Sequence, residues 1–139
     1  MRINISVENH IDTEGIKTKI MDAVNKSLPD IATEVLKDCN EYAPERYGGL
    51  TGKSITDEAC KPIIDVNEEN HTATIKWRVP YASYVYKGIS RKGKPLKYSK
   101  WPNTKAQKEW CKKAKTVRLM EWSKMMEKFT KDNYNNGGK

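Results

Sequence analysis

The chain has 139 residues, which is enough for one domain, and it carries a formal net charge of +8. Hydrophobic residues make up 37% and charged residues 32%, against about 45–50% and about 25% in typical domains, so we expect a lean core that draws stability from self-association or partners. No apolar run approaches the roughly 18 residues that cross a bilayer, and residues 1–10 lack the apolar block of a signal peptide, so we expect neither a membrane protein nor a classical secreted protein.

The first predicted elements are a short strand and a long helix. Residues 2–7 alternate apolar and polar side chains, which is typical of an amphipathic strand. Asp12 or Thr13 is then a candidate N-cap. Pro29 lacks an N–H, so it predicts a kink or a restart of the helix, with Ser27 as a possible second cap. The apolar positions that place one helical face on the core are Ile16, Ile20, Val24, Leu28, Ile31, Val35, Cys39 and Tyr42.

Pro44 ends this helix, and a loop with three glycines follows over residues 45–53. Residues 54–61 and 71–79 are predicted strands. In the second of them, apolar and polar side chains alternate. Residues 67–70 (NEEN) are the predicted turn between them.

Residues 81–86 are apolar and aromatic, and their pattern leaves a strand and a single helical turn equally open. A basic loop rich in Gly and Pro follows over residues 88–102. Asn103 or Thr104 is then a candidate N-cap for a final helix that runs to about residue 131.

The order of these elements predicts an α+β fold, in which a long N-terminal helix and a C-terminal helix pack on a small antiparallel sheet. We expect a single domain over residues 1–134 and a disordered tail over residues 135–139.

Catalytic and metal-binding patterns are weak throughout the sequence. Cys39, Cys60 and Cys111 are far apart and form no CxxC pair, so they predict free thiols in a reducing cytoplasm. His10 and His71 lack partner residues at a usable spacing and are predicted surface histidines. We therefore expect no cofactor, no metal and no enzymatic activity.

Two further patterns resemble functional motifs but lack their context. Residues 48–54 (GGLTGKS) are one residue too short for a phosphate-binding P-loop, and the helix precedes them instead of following, so they predict a connector. The carboxylate pairs Glu68–Glu69 and Asp57–Glu58 lie in a predicted turn and at a strand start, which suits a solvated surface better than acid–base catalysis.

The charge is concentrated in residues 87–118, which contain twelve basic residues and one acidic residue, Glu109. This segment has a net charge of +11, and the rest of the chain has −3. Such a stretch faces an acidic partner, nucleic acid or water. Only two of the twelve are Arg, which weighs against specific nucleic-acid readout.

Aromatic residues accompany the basic stretch, and they suggest a platform for single-stranded DNA or RNA as well as core or interface packing. They are Trp77, Tyr81, Tyr84, Tyr86, Tyr98 and Trp101. Trp110 shares a helical face with Ala106 and Ala114, which predicts a core residue. As the stripe drifts along the helix it passes through Glu121 or Trp122. Trp122 lies off its best part, and an exposed Trp there would suit a subunit contact.

Several phrases of the sequence, taken in order, carry a family resemblance. They are Tyr42-Ala43-Pro44 at the end of the first helix, Leu50 and Ser54-Ile55 after it, Val79-Pro80-Tyr81-Ala82-Ser83-Tyr84-Val85-Tyr86-Lys87-Gly88, and Trp110 with Ala114. With these phrases the chain resembles the minor capsid or neck proteins of tailed bacteriophages, which join head to tail. It departs from the family pattern in the loop after Pro44, where one extra residue precedes Ser54.

The resemblance implies no catalysis. It implies a structural subunit that forms a homo-oligomeric ring in the neck of the virion, between connector or head-closure proteins and tail proteins, and that assembles in the host cytoplasm. A closed ring uses a heterologous contact, for which we expect one acidic and one basic face. The alternative function is a small basic nucleic-acid-binding protein.

The candidate functional residues fall into two sets. The predicted subunit or partner interface contains Tyr81, Tyr84, Tyr86, Lys87, Gly88, Arg91, Lys92, Lys94, Trp101 and Trp122. The predicted contact with an acidic partner, or nonspecifically with DNA, contains Lys97, Lys100, Lys105, Lys108 and Lys112.

Overall fold

The computed structural model describes residues 1–6, 14–44, 62–79, 81–98 and 104–137. Within these ranges it has three strands and three helices, which confirms the predicted α+β class. In chain order the elements are β1 (Arg2–Ser6), α1 (Glu14–Asn40), β2 (Ile63–Asn67), β3 (Thr72–Lys76), α2 (Ala82–Lys87) and α3 (Trp110–Gly137).

The sheet has the order β1-β3-β2, and both neighbours are antiparallel to β3. Ile75 in β3 lies opposite Ile3 of β1 and Ile64 of β2. The predicted strand over residues 2–7 is confirmed for residues 2–6, and the prediction over residues 71–79 contains β3. Ala73 and Ile75 are fully buried, as alternation on a half-buried sheet requires.

The prediction missed β2 as the hairpin partner of β3. The turn over residues 67–70 is tight, since the Asn67 side chain accepts a hydrogen bond from the Asn70 N–H at 3.0 Å. A tight turn must be flanked directly by its strands, so the partner strand has to end at Asn67. The predicted strand over residues 54–61 lies outside the described residues.

Helix α1 confirms the predicted apolar stripe from Ile20 to Cys39 and, of the predicted kink or restart at Pro29, excludes the restart. The helix is continuous through Pro29, whose side chain is exposed, while its neighbours Leu28 and Ile31 are buried. Ser27 does not act as a cap. It is fully buried, and its hydroxyl donates to the Ala23 carbonyl at 2.7 Å. Packing of the flanking apolar residues holds the helix together at the position where Pro removes one N–H.

The segment that the sequence left undecided forms α2, a single short helix. It ends at Gly88, which adopts the left-handed conformation with φ of +79° and donates its N–H to the Tyr84 carbonyl. Helix α3 begins at Trp110, six residues after the expected Thr104. Before it, the N–H group of Gln107 donates to the Tyr42 carbonyl and that of Glu109 to the Tyr86 carbonyl. This stretch of backbone therefore makes tertiary hydrogen bonds instead of helical ones.

Helix α3 also extends to Gly137, so residues 135–137, which we expected in a disordered tail, are helical. The reason lies in contacts just before them. Asn133 Nδ2 donates to Ser27 Oγ at 2.8 Å, and the Lys19 ammonium lies 4.3 Å from the centre of the Tyr134 ring. These contacts hold the last turns of α3 against α1.

The core lies between the two long helices and the sheet, and three aromatic side chains close it at one end. Trp77 and Trp110 pack edge to face with ring centres 6.1 Å apart, and Tyr86 packs on Trp110 at 4.7 Å. Trp110 is fully buried, which confirms its predicted place in the core. This aromatic cluster supports α2 and the segment that follows it.

Candidate functional site: a basic hairpin beside α2

The three tyrosines of the predicted interface have different environments. Tyr81 and Tyr84 are 48% and 39% exposed, whereas Tyr86 is half-buried against Trp110. Burial raises the pKa of the Tyr86 hydroxyl to about 12. Tyr81 and Tyr84 therefore present surface at this end of the molecule, and Tyr86 joins that surface to the core.

Gly88 shapes the site through its backbone. Its φ of +79° is costly for any side chain with a Cβ. A Cβ atom built there would lie 2.8 Å from Lys108 Cδ and 3.2 Å from the Tyr98 hydroxyl. Gly88 thus lets the chain leave α2 in close contact with the stem of Lys108.

Part of the predicted loop over residues 88–102 forms a β-hairpin, which we call the basic hairpin (residues 88–96). Ile89 and Pro95 form an antiparallel bridge, and the Leu96 N–H donates to the Gly88 carbonyl at 2.9 Å. At the tip, the Ser90 N–H donates to the Lys94 carbonyl at 2.7 Å, and the Ser90 hydroxyl accepts from the Lys94 N–H at 3.1 Å. These bonds give the predicted interface residues a defined scaffold.

The tip of the basic hairpin carries three exposed cations: Arg91, Lys92 and Lys94. Among the described residues none of the three has an acidic partner. Lys87 and Lys97, on either side of the hairpin, are exposed as well. The hairpin therefore concentrates positive charge on a small projection next to Tyr81 and Tyr84.

Two of the aromatic residues proposed for nucleic-acid stacking are committed elsewhere. Trp77 is buried, and its Nε1 donates to Asn40 Oδ1 at 3.0 Å. The Tyr98 hydroxyl donates to the Val85 carbonyl, and burial raises the pKa of Tyr98. Trp101 and Lys100 lie outside the described residues. A stacking platform of six aromatic residues is therefore not formed here.

Lysines of the second predicted set differ in their surroundings. Lys105 forms an ion pair with Glu41 at 2.5 Å, and Arg118 lies 3.6 Å from the same carboxylate. The hydrogen bond from Lys105 lowers the pKa of Glu41. Lys112 pairs with Glu109 at 3.4 Å. Lys105 and Lys112 thus already neutralise acidic groups of their own chain, while Lys97 and Lys108 are exposed.

Trp122 lies on the α3 stripe that faces α1, one of the two positions that the sequence left open there. Its side chain is half-buried, and its Nε1 donates to Asp38 Oδ2 at 2.7 Å, which links α3 to α1. Trp122 also lines a groove of about 1040 Å³ between β1, α1 and α3, whose walls include Ile3, Val24 and Met126. A helical stripe that drifts around α3 explains how a position off the predicted face reaches α1.

The described cysteines confirm the prediction of free thiols. Cys39 and Cys111 are both buried and free, and they meet where α1 and α3 pack. The hydrogen bond with Cys39 and burial raise the pKa of the Cys111 thiol. Cys60, His10 and the P-loop-like residues 48–54 lie outside the described residues. Within the described ranges, no group of three or more metal-ligating side chains occurs and no helix is long and apolar enough to cross a membrane.

A second charged feature is the turn between β2 and β3, which we call the acidic turn (residues 67–70); the prediction that Glu68 and Glu69 lie in a solvated turn is confirmed. Glu68 and Glu69 at its tip are exposed. Asn25 of α1 holds the turn, since its Nδ2 donates to the Glu68 carbonyl at 3.3 Å and its Oδ1 lies 2.9 Å from His71 Nδ1. The residues NEEN predict the turn, but only its hydrogen bonds to Asn25 of α1 show that its position is fixed.

The described site thus consists of charged and aromatic surface on a small α+β scaffold, a composition suited to contacts with other macromolecules. The sequence matches the family model of the minor capsid proteins over residues 7–130. The chain belongs to this minor capsid protein family, and it is a structural protein of a phage virion. Comparison with curated proteins and with solved structures gives no match.

Proposed function

We propose that this minor capsid protein forms a homo-oligomeric ring in the neck of the virion and there joins the head connector to the tail. The observation that carries the proposal is the juxtaposition of exposed Tyr81 and Tyr84 with the basic hairpin, at an end of the molecule backed by the Trp77–Trp110 cluster. Tyrosine combines a large apolar area with a polar tip, and it is enriched at protein interfaces. A supported surface of this kind suits repeated contacts between subunits.

The composition of the chain also favours an assembled state. The apolar fraction is low, and Val117, Leu119 and Met120 of α3 remain exposed, Met120 by 75%. A subunit of this kind completes its burial against neighbours. Adjacent head-closure and tail proteins are the partners above and below the ring.

The first experiment is electron microscopy of lysates from a phage that lacks this gene. We expect DNA-filled heads beside finished but unattached tails, because the joint between them is missing. Normal virions in the deletion lysate would contradict the neck position.

Complementation of the deletion tests the proposed surface. The gene carrying Tyr81→Ser with Tyr84→Ser is expected to restore few joined virions, because both exposed tyrosine side chains are lost from the proposed contact surface. Asp30→Ser with Lys37→Ser is the control, since it truncates two exposed side chains of α1, on a different surface, and leaves the net charge unchanged. Equal rescue by both variants would exclude the tyrosines from the joint while leaving the deletion result unchanged.

The alternative function, nucleic-acid binding, is favoured by the exposed cations of the basic hairpin beside Tyr84. Nonspecific binding of such a protein has a Kd of about 10⁻⁴ to 10⁻⁶ M at physiological salt. Binding to single-stranded DNA that stays much tighter at about 200 mM salt, and that Tyr84→Ala abolishes, would favour this alternative. Binding that salt removes, with no effect of Tyr84→Ala, would leave the structural function as the better account.

A further inference from the structure

The protein carries two projecting turns of opposite charge. The tip of the basic hairpin has Arg91, Lys92 and Lys94, and the acidic turn has Glu68 and Glu69. All five side chains are exposed, and among the described residues no ion pair joins them to another part of the chain. Hydrogen bonds also fix the shape of each tip: backbone bonds in the basic hairpin, and in the acidic turn the bond from the Asn70 N–H to the Asn67 side chain. Both tips are therefore preformed and available to a partner.

The two tips are attached to well-separated positions along α1. The acidic turn is tied to Asn25 in the middle of α1. The basic hairpin extends from α2, which packs on the Trp77–Trp110 cluster, and Trp77 is bonded to Asn40 at the end of α1. At about 1.5 Å per residue, Asn25 and Asn40 are separated by about 22 Å along the helix. The protein therefore has a positive end and a negative projection well removed from it.

We propose that the basic hairpin of one copy of this chain docks on the acidic turn of the next copy. The inference rests on the ring proposed above and names its subunit contact. Two different surfaces that pair head to tail give a heterologous contact, which repeats from copy to copy and closes when the rotation allows, whereas a reciprocal pairing of the same two tips would stop at a dimer. A two-fold contact through either tip alone would bring like charges together.

A second copy fits both tips better than DNA does. DNA would neutralise the basic hairpin but would leave Glu68 and Glu69 facing water or phosphate. The charge separation extends to the whole sequence, since residues 87–118 carry +11 and the rest carries −3. Exposed ion pairs are weak and are screened by salt, so the tips set orientation. Exposed Tyr84, in α2 before the hairpin, and exposed Ile89, within the hairpin, supply apolar contact area.

Charge reversal with rescue tests the contact in the phage that lacks the gene. One variant reverses the basic tip (Arg91→Glu, Lys92→Glu, Lys94→Glu), one reverses the acidic tip (Glu68→Lys, Glu69→Lys), and one combines both. Like charges facing each other oppose docking and the correct orientation of the subunits, so each single-tip variant is expected to lower the yield of joined virions at least about tenfold. The combined variant restores opposite charges and is expected to recover most of the yield.

The matched control combines the reversed basic tip with Glu127→Lys and Asp132→Lys, two exposed acidic residues of α3. It has the same net charge as the combined variant, and no rescue is expected. Rescue by both combinations would show that only net charge matters and would overturn the proposal. A basic-tip defect that neither combination rescues would assign the hairpin to DNA or to an acidic neighbour. Thermal melting of each variant shows that these surface changes leave the fold intact.

Cross-linking distinguishes the geometry of the contact. Lys92→Cys and Glu69→Cys are introduced together with Cys60→Ser, while the buried Cys39 and Cys111 are retained. A short bismaleimide applied to virions is expected to give dimers, trimers and larger products, because each copy bonds to two neighbours. The controls are the two variants that carry only one of the introduced cysteines, Lys92→Cys or Glu69→Cys, and these should stay monomeric. Dimers alone, or no product, would overturn the contact, whereas the deletion phenotype reports separately on the neck position.

Discussion

Helices α1 and α3 have nearly equal lengths, 27 and 28 residues, but they contribute to the core very differently. Helix α1 buries an apolar stripe from Ala23 to Cys39. Helix α3 fully buries only Trp110, Cys111 and Ala114, which lie near its start. Further along, its large apolar side chains are half-buried or exposed.

The difference shows two ways of holding a long helix in place. Helix α1 relies on apolar burial over most of its length, since its apolar residues recur regularly. Helix α3 has one fully buried aromatic anchor, Trp110. Beyond it, half-buried apolar side chains pack against the core, and Trp122 and Asn133 add polar links to α1. Substitutions should therefore lower the free energy of unfolding strongly in the core and only slightly along the outer face of α3, where surface remains available for assembly.

The largest effect is expected for Trp110→Ala, which removes the anchor of α3. Truncation of a buried Trp costs about 3–5 kcal/mol in the free energy of unfolding. Met120→Ala in the same helix should change it by less than about 0.5 kcal/mol, because that side chain is 75% exposed. Urea denaturation measures both values. Similar losses at the two positions would mean that α3 is held evenly along its length.

A smaller effect is expected for Gly88→Ala at the junction of α2 and the basic hairpin. The left-handed backbone alone costs an alanine about 1–2 kcal/mol, and the new Cβ would also meet Lys108 at 2.8 Å. Gly93→Ala is the matched control, since Gly93 has φ of +80° and nothing within 4 Å of a built Cβ. We expect Gly88→Ala to be clearly the more destabilising in urea melts; an equal loss would show that Lys108 simply moves aside.

Ser27→Ala tests the polar link between the two helices. The substitution removes the hydroxyl that joins the Ala23 carbonyl to the Asn133 amide, and we expect a loss of about 1 kcal/mol. Thr33→Ala is the control, because Thr33 makes the same kind of bond to the Pro29 carbonyl at an exposed position. A double-mutant cycle with Asn133→Ala isolates the link. Strict additivity in the cycle would argue that the two side chains act independently.

The smallest effect is expected for Glu41→Gln, which removes the carboxylate shared by Lys105 and Arg118. Exposed ion pairs contribute about 0.2–1 kcal/mol. The pKa of Glu41 is lowered from its usual 4.5 by the hydrogen bond from Lys105. The contribution of the Glu41 carboxylate to the free energy of unfolding is therefore fully present above its usual pKa, and it is lost as the pH falls through its lowered folded-state pKa. Melts across the acid range should show the wild type and the variant converging; a gap that persists at low pH would contradict this assignment.

Much of the core follows from local patterns in the sequence. Regular spacing of three or four residues identified the buried face of α1, and alternation identified β1 and β3. Trp110 was predicted as a core residue from its helical spacing to Ala106 and Ala114. Its burial is confirmed, although Ala106 lies before α3 and only Ala114 shares the helix with it. The ordered phrases from Tyr42 to Ala114 carried the resemblance to minor capsid and neck proteins, and the family match confirms the minor capsid family. These features depend on residues close together in the chain.

Other features depend on what each residue meets across the fold. The start of α3 at Trp110 is decided by backbone bonds to Tyr42 and Tyr86, and the burial of Trp122 is decided by Asp38. The acidic turn becomes a fixed projection only through Asn25, more than 40 residues away in the chain. Local sequence sets which faces are apolar and which turns are tight. Only the tertiary structure decides which charges are neutralised within the chain and which are left to face a partner, because Coulomb interactions depend on distance in space.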